Sequence, residues 1–250
     1  MIEVIFVMWQ RQIKTYIRSK HRMIGSLAQP LLFLVAFGFG LGSMFEQTGN
    51  GNYIQYLIPG IIGMTILFSS VMNGMSLIWD KQFGFLQEVL VAPVSRFSII
   101  IGRTLGGATV AITQGFIILL IALGLGVKIS GVFGLLLTFV FMILIAFTAV
   151  GFGLVLASKM EDFQGFQLIM NLLIMPLLFL SSAFFPVTAN PTMKTISSFN
   201  PLFYMVDGLR GSLIIGTATV NPPLLDLLVV LVVCIIMMGL GSYLFSKSEV

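Results

Sequence analysis

Residues 132–158 read VFGLLLTFVFMILIAFTAVGFGLVLAS, without a single charged side chain. About 20 apolar residues in a helix cross the hydrocarbon core of a bilayer, so this stretch is long enough to span one. The whole chain has the same character: 58% of its 250 residues are hydrophobic and 9% are charged, against roughly 25% charged in a soluble domain. So few charges cannot cover a soluble protein, and lipid must therefore cover much of the apolar surface.

The sequence predicts an all-α polytopic membrane protein with six transmembrane helices. The predicted spans lie near 23–45, 54–79, 104–127, 132–158, 166–188 and 224–246. Between the last two, Asn200, Pro201, Asp207 and Arg210 interrupt the apolar pattern. We therefore expect short extracellular helices over about 189–221, lying in the interface or dipping partly into the membrane. Glycine pairs such as Gly102 and Gly106 are expected to let helices pack closely.

The distribution of Lys and Arg predicts the orientation. One side of the membrane would hold only Lys128, Lys194 and Arg210. The opposite side, with both termini, would hold the other ten cations, so both termini are predicted to be cytoplasmic: Arg11, Lys14, Arg18, Lys20, Arg22, Lys81, Arg96, Arg103, Lys159 and Lys247.

Residues 1–22 have the pattern of an amphipathic helix lying in the cytoplasmic membrane interface, ahead of the membrane domain at 23–250. Trp9 and Tyr16 would lie at headgroup depth on its apolar face, in contact with membrane lipids. Arg11, Lys14 and Arg18 fall on the opposite face, toward phosphate. An anchor that sets topology and a docking element for a partner both fit this pattern.

The sequence offers no set of groups for catalysis. Cys234 and His21 are the only residues of their types, which disfavours a disulfide or a multi-histidine metal site. No phosphate-binding GxxxxGK[ST] loop is present, so we predict no catalytic residue, no metal and no cofactor bound by this chain. We also expect no proton relay or ion-coordinating carboxylate at membrane depth. The small net charge of +4 gives no indication of nucleic acid as a partner.

The longest predicted cytoplasmic loop contains a short amphipathic segment, over about 82–95. Phe83, Leu86, Leu90 and Val94 are spaced at i, i+3, i+7 and i+11, and the helix would end near Pro93. Its apolar face needs a cover, which the membrane interface or the groove of a partner protein would supply.

The outer segment contains a second pattern. Asn200 before Pro201 predicts the start of a helix, with the Asn side chain as its cap. Asp207 and Arg210 are three residues apart on that helix and are predicted to pair. Recognition of substrate by these two residues is the alternative.

Together these segments resemble the permease subunit of ABC-2 type exporters, most of all the daunorubicin-resistance-like multidrug branch. The loop after the second span resembles the family's pattern G-T-L-E-x-L-L-x-x-P-V-S. This chain departs from the pattern at Phe85, which replaces Thr, and at Gln87, which replaces the acidic residue. Glu88 follows one place after that acidic position. The matching residues are Gly84, Leu86, Leu90, Pro93, Val94 and Ser95. The outer pattern, F-F-P and then N-P-L-x-Y-x-V-D-x-L-R, is the more specific, and it matches Phe184, Phe185, Pro186, Asn200, Pro201, Leu202, Tyr204, Val206, Asp207, Leu209 and Arg210.

The resemblance implies a multi-pass protein of the prokaryotic cell (inner or plasma) membrane. Two permease subunits, as a homodimer, would each dock on a separate cytoplasmic ABC ATPase that binds ATP and Mg²⁺. The 82–95 segment would be the coupling helix, with Phe83, Gly84, Leu86, Glu88, Leu90 and Pro93 facing that ATPase. The exported molecule would be hydrophobic or amphipathic, drug-like or lipid. Export of a lipid-linked polysaccharide is the first alternative, and a membrane scaffold or immunity protein without transport activity is the second.

Overall fold

The chain forms an all-helical bundle, as the sequence predicts. The computed structural model describes residues 2–42, 45, 52–82, 96–160, 162–187, 190–216 and 219–247. Within these ranges the only β-type pairing is a single bridge between Ile129 and Ile214. The helices are α1 Ile2–Arg18, α2 Lys20–Gly40, α3 Tyr53–Gln82, α4 Arg96–Gly124, α5 Gly131–Lys159, α6 Phe163–Phe179, α7 Pro191–Ser197, α8 Pro201–Leu213 and α9 Pro223–Lys247.

Five of the described helices are long and apolar enough to cross a membrane. They are α2, the Tyr53–Ser76 part of α3, the Ser98–Gly124 part of α4, α5 and α9. The remaining apolar helix, α6, has 17 residues, which corresponds to about 25 Å and is shorter than the ~30 Å hydrocarbon core. The predicted span at 166–188 is therefore corrected: its helix starts at Phe163, ends at Phe179, and is followed by a turn.

Helix α5 lies at the centre of the bundle, where it packs against α3, α4, α8 and α9. Small residues permit the closest of these contacts. A Cβ atom added to Gly74 of α3 would lie 2.5 Å from the backbone of Gly153, and one added to Gly241 of α9 would lie 2.8 Å from the carbonyl oxygen of Gly151. Because helices in lipid associate mainly through close packing, these glycines position α5 between its neighbours.

The two short outer helices differ in their environment. Helix α7 is exposed along almost its whole length, as expected of a helix in the interface. Helix α8 is almost entirely buried and packs against α3, α5 and α9. The polar residues of α8 are therefore inside one end of the bundle, not on an interfacial surface. Large apolar side chains on the outside of α6 and α9 remain exposed, as lipid-facing positions require, among them Leu168, Leu172, Leu228 and Ile235.

Candidate functional site

Helix α8 begins at the predicted cap. The Asn200 side-chain oxygen accepts a hydrogen bond from the Leu202 backbone N–H at 3.0 Å, with Pro201 in the first turn. The other end of the same amide donates to the Leu177 carbonyl oxygen of α6 at 2.6 Å. Asn200 therefore satisfies a free N–H at the helix start and also fixes α8 against α6.

Arg210 is the central residue of the buried cluster at this end of the bundle, with 1% of its surface exposed. Its Nη2 donates to the Ser182 carbonyl oxygen at 2.7 Å, and its Nη1 donates to Ser182 Oγ at 3.2 Å. The guanidinium carbon lies 3.9 Å from the centre of the Tyr56 ring. Hydrogen bonds and the ring face together replace the water that a buried guanidinium loses.

Ser182 occupies an unusual backbone conformation, with φ of 62°. That left-handed conformation is uncommon for residues other than glycine. It aims the Ser182 carbonyl oxygen at Arg210 and also at the Tyr56 hydroxyl, which donates to it at 2.9 Å. The turn also lies directly against α3, since a Cβ atom at Gly60 would collide with the backbone of Ala183.

Asp207 ties α8 to the segment that leads into α9. Its Oδ2 accepts hydrogen bonds from the backbone N–H groups of Val220 at 2.9 Å and Asn221 at 3.0 Å. Its Oδ1 lies 3.7 Å from Nη1 of Arg210, so the structure places the two side chains in contact, as their spacing predicts. Burial raises the pKa of the Asp207 carboxyl, while the two backbone donors and Arg210 act in the opposite direction.

Asp226 extends this cluster into the first turn of α9. It is completely buried, and its Oδ1 accepts a hydrogen bond from the Asn221 side-chain amide at 3.2 Å. The last predicted span is therefore not free of ionisable side chains, because Asp226 lies in the first turn of its helix. The sequence carried the signal: Asp226 interrupts the apolar stretch at 224–246.

We call Tyr56, Ser182, Asp207, Arg210, Asn221 and Asp226 the outer polar cluster. Three of the residues predicted from the outer motif lie beside it. Phe185 is 44% exposed and meets Phe37 edge-on at 6.3 Å between ring centres. Pro186 follows in the same turn and is half-buried. The Tyr204 hydroxyl donates to the Ser198 carbonyl oxygen at 2.9 Å, which holds α7 next to α8.

At the other end of the chain, α1 packs along the beginning of α4. Trp9 Nε1 donates to Thr109 Oγ1 at 3.1 Å. A Cβ atom at Gly102 would lie 2.7 Å from Met8 Cβ, and one at Gly106 would lie 2.6 Å from Gln12 Cβ. The predicted glycine pair therefore lets α1 pack directly against α4.

The two predicted faces of α1 are each divided between bundle and surroundings. Tyr16 is buried, whereas Ile2 and Phe6, from the same apolar face, are 82% and 55% exposed. Among the cations, Lys14 and Arg18 are exposed, while burial lowers the pKa of Arg11. Helix α1 is thus docked on the bundle on one side and leaves apolar surface exposed on the other.

The predicted coupling segment lies outside the described residues. This applies to Phe83, Gly84, Leu86, Glu88, Leu90 and Pro93. The structure does describe the end of α3 at Gln82 and the start of α4 at Arg96.

The described residues contain no group of three or more His, Cys, Asp or Glu side chains that could hold a metal ion. The outer polar cluster is instead suited to fixing helices relative to one another. Sequence reasoning found Asp207 and Arg210 but missed Tyr56, Ser182 and Asn221. A single sequence gives no signal that Tyr56 contacts Arg210, which lies 154 positions further along the chain.

Comparison with known proteins gives a consistent result. A family model described as ABC-2 type transporter matches residues 3–214. The putative transport permease ycf38 of Cyanophora paradoxa is 31% identical over 217 residues, which cover 84% of this chain and 73% of the relative. The inner membrane transport permease YadH of Escherichia coli K12 is 28% identical, covering 81% and 79%. Nodulation protein J of Rhizobium leguminosarum bv. trifolii is 28% identical, covering 75% and 72%.

Proposed function

Because the chain belongs to the ABC-2 type transporter family, we propose that it is the membrane subunit of an ATP-driven exporter in a prokaryotic cell membrane. A separate cytoplasmic ABC ATPase binds Mg²⁺ and ATP, and two copies of this chain form the path. The exported molecule is hydrophobic or amphipathic.

The observation that carries this proposal is the docking of α1 on the first turns of α4. The contacts at Gly102 and Gly106 bring α1 to the end of the bundle at which the 83–95 segment connects α3 to α4. The N-terminal helix and the predicted coupling segment therefore belong to one end of the molecule. This end also carries most of the chain's cations, which supports a cytoplasmic location.

A partner protein at this end would cover apolar surface that the bundle leaves open. Ile2, Phe6 and Val7 of α1 are 82%, 55% and 59% exposed. The 82–95 sequence has an apolar face at helical spacing, with Leu86 and Leu90 at its centre. An ATPase groove that takes up Leu86 and Leu90 would transmit closure of the ATPase to α3 and α4, the helices that flank the segment.

The opposite end is held by the outer polar cluster, which joins the beginning of α3 to the turn after α6, to α8 and to the beginning of α9. Movement of α3 at its cytoplasmic end would therefore be passed to the outer helices through Tyr56 and Arg210. A conformational change requires that the ATP-bound state favour one arrangement of the bundle over another. We propose that this displacement opens a route past α7 and α8 to the outer leaflet.

Transport by the reconstituted complex tests the proposal. The chain is co-expressed with its ATPase, purified as a complex and placed in liposomes with a fluorescent phospholipid and, separately, the amphipathic dye Hoechst 33342. ATP-dependent movement of either compound, absent with a non-hydrolysable ATP analogue, supports the proposal. Movement of a lipid-linked polysaccharide alone would overturn the proposed substrate class. Retention of the protein's cellular role after deletion of every ABC ATPase would identify a scaffold or immunity protein instead.

A further inference from the structure

A cavity of about 330 Å³ lies between α1, α2, α3 and α4, on the α1 side of the bundle. Tyr16, Gln29, Met72 and Gln114 each contribute to its wall from a different one of these helices. None of the residues of the outer polar cluster lines it. Its volume falls in the range of about 300–1,000 Å³ that is usual for small-molecule sites.

Much of the wall is apolar and adaptable. Methionine side chains have three rotatable bonds and a polarizable sulfur, so they adjust to ligands of different shape. Aromatic groups add flat apolar surface beside them. The apolar side chains lining the cavity include Met64, Phe68, Met72, Met75, Trp79 and Val110.

Two polar groups in the wall have no hydrogen-bond partner among the described residues. Tyr16 Oη and Gln114 Oε1 are buried, and neither has a hydrogen-bond partner within the part of the chain that the structure describes. Their residues are 8% and 2% exposed. Hydroxyl groups nearby are satisfied by their own helices: Thr65 donates to the Ile61 carbonyl oxygen at 2.7 Å, and Ser76 to that of Asn73 at 2.7 Å. Burying an unpaired polar atom is costly. Both atoms are covered in this structure, so a ligand in the cavity completes their bonding once the Tyr16 and Gln114 side chains rotate toward it.

The cavity also carries a positive charge. Among the described residues that line it, Arg22 has the only ionised side chain. Its guanidinium carbon lies 5.9 Å from the centre of the Trp79 ring, which places the charge beside the apolar wall. A cationic head group would be repelled here, whereas a carboxylate or phosphate would form charge-assisted hydrogen bonds.

We propose that this cavity binds an amphipathic organic anion. Its apolar part would lie against Met64, Met72 and Met75, and its charged group would lie at Arg22. Tyr16 and Gln114 would be its hydrogen-bonding partners. The inference rests on the proposed function, for which it names the class of exported molecule. Binding is nevertheless measurable without ATP or an ATPase, so the two are tested separately.

The reporter for this test is Trp79, which lines the cavity and is one of two tryptophans in the chain. In a Trp9→Phe background, the full chain in nanodiscs is titrated with 11-bromoundecanoic acid, whose bromine quenches nearby tryptophan fluorescence. We expect saturable quenching. The neutral 11-bromoundecanol should bind about fivefold more weakly, because one partly exposed ion pair contributes a factor of that order. Quenching that rises linearly to the solubility limit reports lipid partitioning only and would overturn the proposal.

Matched variants identify the groups responsible. Arg22→Gln should remove the preference for the acid over the alcohol, Arg22→Lys should keep it, and Lys20→Gln, an equal charge change outside the lining, should leave it intact. Ser69→Phe should fill the cavity and abolish saturable quenching, with monodisperse elution confirming its fold. Gln114→Leu gives a second variant without added bulk and should weaken binding. A preference that survives in Arg22→Gln would overturn the assignment of the charged group.

A second probe distinguishes two sources of the bound anion, a membrane phospholipid and a free amphiphile. Nanodiscs containing a small fraction of dibrominated phosphatidylglycerol, compared with dibrominated phosphatidylcholine, report occupancy by a membrane phospholipid. Selective quenching by phosphatidylglycerol assigns the site to an anionic lipid, and quenching by the free acid alone assigns it to a single-chain or drug-like amphiphile. Saturable binding without ATP-driven transport would overturn the proposed function but support the proposed binding site. Transport without saturable binding would overturn the site alone.

Discussion

The guanidinium carbon of Arg210 lies 3.9 Å from the centre of the Tyr56 ring, and the same side chain donates two hydrogen bonds to Ser182. One residue of α8 thereby holds the beginning of α3 and the turn after α6. A buried guanidinium loses its contacts with water, so its burial is tolerated only while these partners are in place. The position of α8 therefore depends on residues that are distant in sequence.

Removing either member of the buried pair is expected to destabilise the protein strongly. Asp207→Asn and Arg210→Gln should each cost about 3–5 kcal/mol, because each leaves an uncompensated buried charge. The double variant should cost less than the sum of the two, since neither charge then remains. Denaturant unfolding of the purified protein in nanodiscs measures these values, with the exposed Lys194→Gln as a control expected within about 0.5 kcal/mol of the parent protein.

Exchanging the two charges tests whether orientation matters. In Asp207→Arg with Arg210→Asp, the backbone N–H groups of Val220 and Asn221 would face a cation, and the Ser182 carbonyl oxygen would face an anion. We therefore expect the exchange to restore neither stability nor transport. Full recovery in the exchanged protein would show that the pair acts only through mutual attraction.

Close packing of α3 on α5 makes Gly74 sensitive to the smallest substitution. A Cβ atom there would lie 2.5 Å from the Gly153 backbone, so Gly74→Ala should destabilise by about 1–3 kcal/mol through overpacking. Gly40→Ala is the matched control, because nothing lies within 4 Å of its added Cβ. Thermal unfolding of both variants in the same detergent makes the comparison. Equal midpoints would contradict the close approach of the two helices.

Displacing α1 from α4 should expose Arg11 to protease. Gly106→Ile places a branched side chain where Gln12 packs, so cleavage by trypsin after Arg11 should accelerate. Gly25→Ile adds the same side chain in α2, where nothing lies within 4 Å of an added Cβ, and should cleave at the parental rate. Mass spectrometry of timed digests measures both rates. Parental protection of Arg11 in Gly106→Ile would contradict the docking described for α1.

The predicted orientation is tested by labelling single cysteines. In a Cys234→Ser background, Lys194→Cys in α7 should react with a membrane-impermeant maleimide in intact spheroplasts. Lys159→Cys, at the end of α5, should react only after permeabilisation. Both lysines are exposed, so accessibility within the protein does not differ between the sites. Reaction at Lys159→Cys alone in intact spheroplasts would reverse the assigned orientation.

The sequence predicted those features of the fold that depend on local composition. Apolar stretches became helices, and Asn200 before Pro201 began α8. The end of α6 at Phe179 was not predictable, because no charged residue, Gly or Pro follows before Pro186 and the turn at Ser182 is held by Arg210 and Tyr56. The burial of α8 was missed for a related reason. Asp207 and Arg210 were predicted to pair on a helix in the interface, whereas their other partners come from segments that only the folded bundle brings together.

ATP hydrolysis by the purified complex reports directly whether the 82–95 segment couples this chain to an ATPase. Leu86→Asp combined with Leu90→Asp should uncouple ATP hydrolysis in the ATPase from the membrane subunit. Charged groups would then replace the apolar face that is proposed to enter the ATPase groove. Ile196→Asp on the exposed helix α7 introduces a charge at the opposite end and is the control. The double variant should lose substrate-stimulated ATPase activity, while Ile196→Asp should retain it. Unchanged stimulation in the double variant would contradict the proposed coupling role of the 82–95 segment.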